Sequence, residues 1–175
     1  MGIILSLAIF FSAVIVHEFA HAWMASRRGD KTAQRMGRLT LNPLAHIDPI
    51  GTLLLPLMLI ILRSPVLFGW AKPVPINFSS LKNPKRDMIW VGLAGPLANL
   101  LLAVLVSFCL KTNLKDVPIA VSLIQSAMII NVVLAVFNLI PIPPLDGSRV
   151  LMGLLPMPLA ARLAALERYG FIILF

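Results

Sequence analysis

Charged residues are scarce in this sequence, and acidic residues are the scarcest. Only 13% of the residues are charged, and seven Asp and Glu stand against fifteen Lys and Arg, whereas about a quarter of an ordinary soluble domain is charged. The stretches 1–16, 88–110 and 117–145 contain no charge at all. A transmembrane helix needs about 20 apolar residues, and a soluble core in so short a chain cannot bury so many uncharged runs. The composition therefore argues against a soluble protein and predicts a multi-pass membrane protein.

Other features are missing as well. A single cysteine, Cys109, excludes an internal disulfide, and its place in an apolar run predicts a small buried side chain. The basic residues are not interleaved with aromatic ones, which argues against nucleic acid binding despite the net charge of +8; an excess of Lys and Arg in cytoplasmic loops is typical of membrane proteins. The N-terminus lacks the basic residues that begin a signal peptide, so we interpret it as a membrane span.

The pattern along residues 1–175 predicts a single intramembrane domain of the all-α polytopic class. Transmembrane helices are predicted over 2–26, 88–110 and 118–140. Segment 50–71 is apolar but interrupted at residues 63–65, which indicates a re-entrant or broken segment. The remaining predictions are a short hairpin or extended loop over 31–49, a short and partly amphipathic helix or interfacial segment over 147–168, and an incomplete apolar segment, too short to cross if helical, over 170–175.

The sequence His17-Glu18-Phe19-Ala20-His21 lies inside the first predicted helix. Residues four apart share a helix face, one turn apart along the axis, so both imidazoles can reach one metal ion. Glu18 lies beside His17, where its carboxylate can take a proton from water that a zinc ion acidifies. The alternative is a chance match on an ordinary helix. Because ionisable groups at membrane depth are costly and usually functional, the pattern predicts His17 and His21 as zinc ligands and Glu18 as the catalytic base.

A third ligand must come from elsewhere, because a catalytic zinc ion usually has three protein ligands and one open position. Asp146 is the best candidate, since it follows a long apolar span and a proline-rich break. The alternative is that Asp146 caps a helix after the proline turn. His46 and Asp48 lie in a basic loop, where turn, capping or site-rim roles suit them better.

The position of Asp146 tests the topology. Asp146 must return to the side of the membrane on which the first helix ends, so the chain must cross an even number of times between residues 27 and 146. A re-entrant segment 50–71 gives two crossings and places twelve Lys and Arg on one side and two on the other; a spanning segment gives three crossings and divides them seven and seven. The positive-inside rule favours the re-entrant arrangement and predicts a site that opens toward the cytoplasm.

Together these residues resemble the site-2 protease family of intramembrane zinc metalloproteases, in its compact prokaryotic branch without PDZ or CBS domains. The resemblance covers nearly the whole chain. It rests on five stretches, which are His17–His21, Asn42–Pro49, Gly69–Pro75, Ala94–Asn99 and Asn138–Gly147.

The resemblance implies a three-helix core, one zinc ion per chain and Glu18 as the general base. The zinc ligands that it implies are His17, His21 and Asp146. It also implies that Asn138 faces the substrate, where the amide can hydrogen-bond the peptide or the developing oxyanion. The alternative for Asn138 is hydrogen bonding between helices, which is also the leading interpretation of Asn99 and Asn131.

The predicted function is hydrolysis of a peptide bond in, or near the cytoplasmic end of, a substrate's transmembrane helix. The predicted partners are membrane lipids and a transmembrane substrate protein. The substrate helix must unwind locally, because a regular helix hides its carbonyls in hydrogen bonds, and the broken segment around 69–75 could pair with the extended peptide. The rival is a non-proteolytic membrane protein that binds or transports zinc. A transporter needs polar groups along several spans and a structural site needs four protein ligands, and the sequence indicates neither.

Overall fold

The computed structural model describes residues 3–64 and 69–170, and these residues form helices and turns with no β-strand. The α-helices are, in chain order, α1 (Ile3–Arg27), α2 (Thr32–Arg35), α3 (Leu55–Ile61), α4 (Pro84–Ser107), α5 (Pro118–Asn138), α6 (Asp146–Leu154) and α7 (Met157–Ala165). Helices α1, α4 and α5 are long and apolar enough to cross a membrane. The prediction of an all-α polytopic membrane protein with a three-helix core is confirmed.

The ends of the long helices follow local sequence signals. Helix α1 ends at Arg27, and Gly29 adopts a φ of +114° that stops it. Helices α4 and α5 each begin with a proline, a residue suited to the first helical position because it has no N–H to satisfy. Helix α4 starts at Pro84, four residues before the predicted boundary, because Asp87 suits the positive end of the helix dipole although it is charged.

Helix α4 lies at the centre of the core and packs against α1, α5 and α6. It runs antiparallel to α1 at the charged end, where Arg28 forms an ion pair with the buried Asp87 at 3.1 Å. Arg27 and Arg28 also lie over the rings of Trp23 and Trp90, at 5.4 Å in both cases. Tryptophan and arginine are typical of the level at which a membrane meets water, so this end of α1 and α4 marks one membrane surface.

The segment predicted to be re-entrant does turn back. It contains a π-helical turn (Pro49–Leu54) followed by α3, and α3 ends before Arg63, which has a φ of +51°. Residues 65–68 lie outside the described part of the chain. Beyond them the backbone N–H of Trp70 donates to the carbonyl of Gly51 at 3.1 Å. The two ends of the segment therefore lie together, an arrangement that a re-entrant segment requires.

Residues 31–49 do not form the predicted hairpin. They contain α2 and a 3-10 turn over Pro43–His46, and no strand pairing is present there. The reason is that neighbouring side chains satisfy the backbone in place of a ladder, since Oδ1 of Asp30 accepts the N–H of Thr32 at 2.9 Å and Oδ1 of Asn42 accepts the N–H of Leu44 at 3.1 Å. The loop alternative was correct for this segment, and the hairpin alternative was wrong.

The chain after α5 is short and irregular. Residues 139–145 form turns that include a cis peptide bond between Pro143 and Pro144, and α6 and α7 replace the single helix predicted over 147–168, because Pro156 lies between them. Of the incomplete apolar helix predicted over 170–175, residues 171–175 lie outside the described residues.

Candidate active site

Two histidines from the start of the chain and an aspartate from near its end meet beside α4. His17 and His21 are one turn apart on α1, and both are buried. Nε2 of His17 lies 3.0 Å from Nε2 of His21, and Oδ2 of Asp146 lies 3.0 Å from the first nitrogen and 3.1 Å from the second. Among the described residues, no other group of three or more His, Cys, Asp or Glu is arranged to hold a metal ion. The structure thus brings together the three residues predicted as ligands.

Hydrogen bonds on the far side of each ring determine which nitrogens face the aspartate. Nδ1 of His21 lies 2.7 Å from the backbone carbonyl of Val91, and Nδ1 of His17 lies 2.6 Å from Oδ1 of Asn99. The amide nitrogen of Asn99 donates to Oδ1 of Asn131 at 2.7 Å, which leaves its oxygen to accept from the ring. Because these oxygens accept the Nδ1 protons, each Nε2 keeps a free lone pair.

The chemistry of this donor set fits a zinc ion. Two nitrogen lone pairs and a carboxylate oxygen that converge at about 3 Å are stabilised by a cation between them. Zinc binds such atoms tetrahedrally at about 2.0–2.1 Å, which places the ligand atoms about 3.3 Å from one another. The separations of 3.0 and 3.1 Å are close to that value. The bonds from Nδ1 to oxygen acceptors are also those that orient metal-binding histidines in proteins.

Gly95 on α4 provides the space for an ion. A methyl group at position 95 would lie 2.6 Å from Nε2 of His17 and closer still to Nε2 of His21, both far inside van der Waals contact. Any side chain there would fill the space in front of the two nitrogens. Glycine at this position therefore keeps the metal-facing side of the rings open.

Asp146 reaches the histidines because a turn and a short helix bring it back toward α1. It is the first residue of α6, and α6 packs on α4. The residue in the N-cap position is Leu145, and no side chain caps this helix. The alternative that Asp146 serves as a helix cap is therefore not what the structure shows, since its carboxylate contacts the two imidazoles.

Glu18 lines a cavity of about 430 Å³ that also contains the two histidines and Asp146. One wall of this cavity is the extended chain that follows the re-entrant segment, residues 69–77, which we name the return segment. Oε2 of Glu18 accepts the backbone N–H of Val74 in this segment at 2.7 Å. The carboxylate therefore lines the same cavity as the metal-binding residues and is held by the return segment.

Asn138, the last residue of α5, lines the same cavity. Its amide nitrogen donates to the carbonyl of Leu134 at 2.9 Å, within its own helix. The predicted alternative, a hydrogen bond to another helix, is not formed among the described residues. Asn131 and Asn99 do form the predicted helix–helix bond.

His46 and Asp48 lie outside this cavity. Asp48 caps the π-helical turn, since its carboxylate accepts the backbone N–H groups of Ile50 and Gly51, and this capping role agrees with the prediction. His46 is buried, and its Nε2 lies 2.9 Å from the carbonyl of Thr40. It also lines a separate apolar cavity of about 260 Å³ between α1 and the re-entrant segment.

Several contributors to the site were not identified from the sequence. Asn99 was interpreted only as a helix–helix contact, although its spacing of four residues from Gly95 places both on one face of α4. The carbonyl of Val91 and the N–H of Val74 are backbone groups, which carry no side-chain signature. Arg149 and Glu167, which also line the cavity, lie in a region where the sequence predicted only a surface helix.

Comparison with known proteins gives the relationships of the chain. The family model described as peptidase family M50 matches residues 5–117 and 112–175. The chain is 40% identical to YwhC of Bacillus subtilis (strain 168) over 166 residues, which cover 90% of this chain and 72% of that protein. It is 37% identical to Rip2 of Mycolicibacterium smegmatis over 172 residues, which cover 97% of this chain and 64% of Rip2.

A more distant relative is MJ0392 of Methanocaldococcus jannaschii, at 26% identity over 83% of this chain and 32% of that protein. The names of all three relatives contain the words zinc metalloprotease. No solved structure matches the chain. Because the family model covers nearly all of the sequence, the chain belongs to peptidase family M50, the family of site-2 proteases.

Proposed function

We propose that this protein is a zinc-dependent endopeptidase that cleaves its substrate within the membrane, in or near a transmembrane helix. Family membership supports a zinc metalloprotease. The observation that supports intramembrane cleavage is the position of the site, because His17, Glu18 and His21 lie inside a helix whose apolar span runs from Leu5 to Arg27. Glu18 is nine residues before Arg27, about 14 Å along the axis.

Three residues of this chain would hold the ion, namely His17, His21 and Asp146. Three protein ligands leave the open position that a catalytic site requires, whereas a structural site has four. When bound, zinc supplies a Lewis acid that activates water and polarises the scissile carbonyl. Asn99 and the carbonyl of Val91 hold the imidazoles in the tautomer that presents Nε2 to the ion.

Glu18 acts as the general base and then as the acid. Its carboxylate takes a proton from the attacking water and delivers it to the departing amide nitrogen, so the proton is returned within one cycle. The N–H of Val74 fixes one carboxylate oxygen at 2.7 Å, and among the described residues no donor bonds to the other, which is available for this transfer. Asn138 lines the same cavity, where its side-chain amide can turn to bind the peptide or the developing oxyanion.

The return segment offers the substrate a backbone edge. Its residues are extended, and two of them, Pro73 and Pro75, have no N–H. In the described part of the chain, no group bonds to the carbonyl of Val74 or to the N–H of Ile76. A locally unwound substrate could pair with these groups as an added strand, which would place its carbonyl beside Glu18.

The proposed orientation places the open end of the site toward the cytoplasm. The two ends of the re-entrant segment meet, so there are two crossings between α1 and α6. Twelve of the fifteen Lys and Arg then lie on the side where α1 ends, and the positive-inside rule makes that side cytoplasmic.

The experiment that tests this function is Glu18→Gln in the full chain, purified and reconstituted in lipid vesicles. The expected result is that zinc content stays at one ion per chain while cleavage of synthetic single-span peptides is lost, because the amide cannot take a proton. Loss of general base catalysis typically lowers a rate by about 10²–10⁴-fold. A matched control is Ser12→Ala, which changes an exposed residue of the same helix. Cleavage by Glu18→Gln at the wild-type rate would remove Glu18 as the base, and a fourth protein ligand to zinc would favour a non-proteolytic zinc protein.

A further inference from the structure

The active-site cavity contains one cation that the proposed chemistry does not use. Arg149 is the only Lys or Arg among the described residues that line it. It lies on α6 three residues after Asp146, so it is on the same side of that helix one turn farther along. Its guanidinium lies 4.7 Å from the centre of the Phe78 ring, where the return segment ends its extended course.

Arg149 has only one polar partner among the described residues. A terminal nitrogen of Arg149 lies 3.3 Å from Oε1 of Glu167. The other N–H donors of this guanidinium have no acceptor among the described residues. A guanidinium presents five donors in a planar fork that matches a carboxylate with two parallel hydrogen bonds. Arg149 therefore keeps most of its capacity to bind a carboxylate.

Glu167 is easily displaced. Its side chain is 48% exposed, and that of Arg149 is 26% exposed, so the pair belongs to the class of exposed ion pairs that stabilise a fold little. Glu167 follows α7, a helix with no buried residue, and the bond to Arg149 is the side chain's only polar contact among the described residues. Replacing this carboxylate by another therefore disrupts little of the fold.

We propose that Arg149 recognises an acidic side chain of the substrate beside the cleaved bond, and that Glu167 occupies this position until the substrate replaces it. The cation–π contact of Arg149 with the Phe78 ring helps to hold the guanidinium at this place in the cavity. Because the return segment and Arg149 line the same cavity and Arg149 contacts Phe78 directly after that segment, a peptide paired with the return segment passes close to Arg149. The proposal rests on the proposed endopeptidase function and adds a substrate preference to it.

The test uses the full zinc-loaded chain in vesicles of neutral phosphatidylcholine, so that no anionic lipid competes for Arg149. Single-span peptides with blocked ends carry Glu, Gln or Lys at each position flanking the cleaved bond in turn. Because the ends are blocked, no terminal carboxylate of the peptide can bind Arg149. A second set of peptides with a free C-terminus measures binding of the terminal carboxylate separately. We expect one flanking position at which kcat/KM is about fivefold higher for Glu than for Gln.

Variants of Arg149 and Glu167 give a sharper readout. The quantity compared is the ratio of kcat/KM for the Glu peptide to kcat/KM for the Gln peptide. Because both values are measured on the same variant, this ratio does not depend on how much of the protein is folded. Arg149→Gln should reduce the ratio to one, Arg149→Glu should favour the Lys peptide, and Glu167→Gln should increase the ratio. Arg162→Gln, at an exposed position of α7 outside the cavity, is the matched control and should leave the ratio unchanged. A wild-type ratio of one at every position, or a ratio that survives Arg149→Gln, would overturn the proposal.

A binding measurement separates this inference from the proposed function. Peptide affinity is measured on zinc-loaded Glu18→Gln, in which recognition is intact and cleavage is expected to be absent. If this variant binds the Glu peptide more tightly than the Gln peptide while the wild type cleaves neither, recognition by Arg149 stands and the endopeptidase function fails. If the wild type cleaves both peptides and the variant binds both equally, the function stands and the recognition fails.

Discussion

Gly95→Ala is the substitution that tests the geometry of the site most directly. The added methyl carbon would lie 2.6 Å from Nε2 of His17, whereas ordinary contact begins at 3.4 Å, so at least 0.8 Å must be gained by moving α4 away from α1 or by turning the rings. Metal–ligand distances tolerate about ±0.2 Å, and a displacement of about 1 Å typically costs about 100-fold in function. We therefore expect zinc affinity to fall by about 100-fold or more.

The assay is competition for zinc by a chelator on the purified full chain, together with the helix content measured by circular dichroism. Alanine is a better helix former than glycine by about 1 kcal/mol, so the helix itself should not be lost. Val104→Ala introduces the same residue at an exposed position of α4 and should leave zinc affinity at the wild-type value. Zinc affinity within threefold of wild type in Gly95→Ala, with the helix content kept, would show that the rings do not face position 95 as described.

Two further substitutions test the groups that hold the site in position. Asn99→Ala removes the acceptor for Nδ1 of His17, and the loss of such an outer contact typically lowers metal affinity by about 10–100-fold. Asn131→Ala removes only a partner of the Asn99 amide, so zinc affinity should fall less in the same chelator assay. Val74→Pro removes the N–H that Glu18 accepts, so kcat should fall by about 10–100-fold with zinc content unchanged, because one hydrogen bond to a charged group contributes about 1.5–3 kcal/mol. Val74→Ala keeps that N–H and should retain activity, and equal losses in the two variants would show that the side chain, not the bond to Glu18, is what matters.

The sequence predicted those parts of the site whose side chains have distinctive chemistry. His17, Glu18 and His21 are conspicuous because they interrupt an apolar run with ionisable groups at helical spacing. Asp146 could be selected because only seven acidic residues exist and because it follows a long apolar span and a proline-rich break. The structure places Oδ2 of Asp146 3.0 Å from Nε2 of His17 and 3.1 Å from Nε2 of His21.

The remaining parts of the site could not be predicted, because they depend on the relative position of elements and not on residue type. Ten glycines are present, and nothing in the sequence alone distinguishes Gly95 as the one opposite the imidazoles. The Val91 carbonyl and the Val74 N–H are backbone groups, and nearly every residue of any chain has such groups, so the sequence cannot single them out. The hairpin prediction over 31–49 failed for a related reason, since alternation along the sequence does not show that Asp30 and Asn42 will accept the N–H groups of Thr32 and Leu44 and form local turns.

The re-entrant segment connects the topology of the protein to its chemistry. Trp70 packs so closely on Gly51 that a methyl group at position 51 would overlap the indole ring, and this contact closes the segment on itself. In the proposed topology, closure makes the number of later crossings even, and this agrees with the contact of Asp146 with His17. Closure also fixes Trp70, which lies in the return segment four residues before the Val74 N–H that holds Glu18. A single close contact between Gly51 and Trp70 therefore supports two requirements of the site, the third metal ligand and the position of the base.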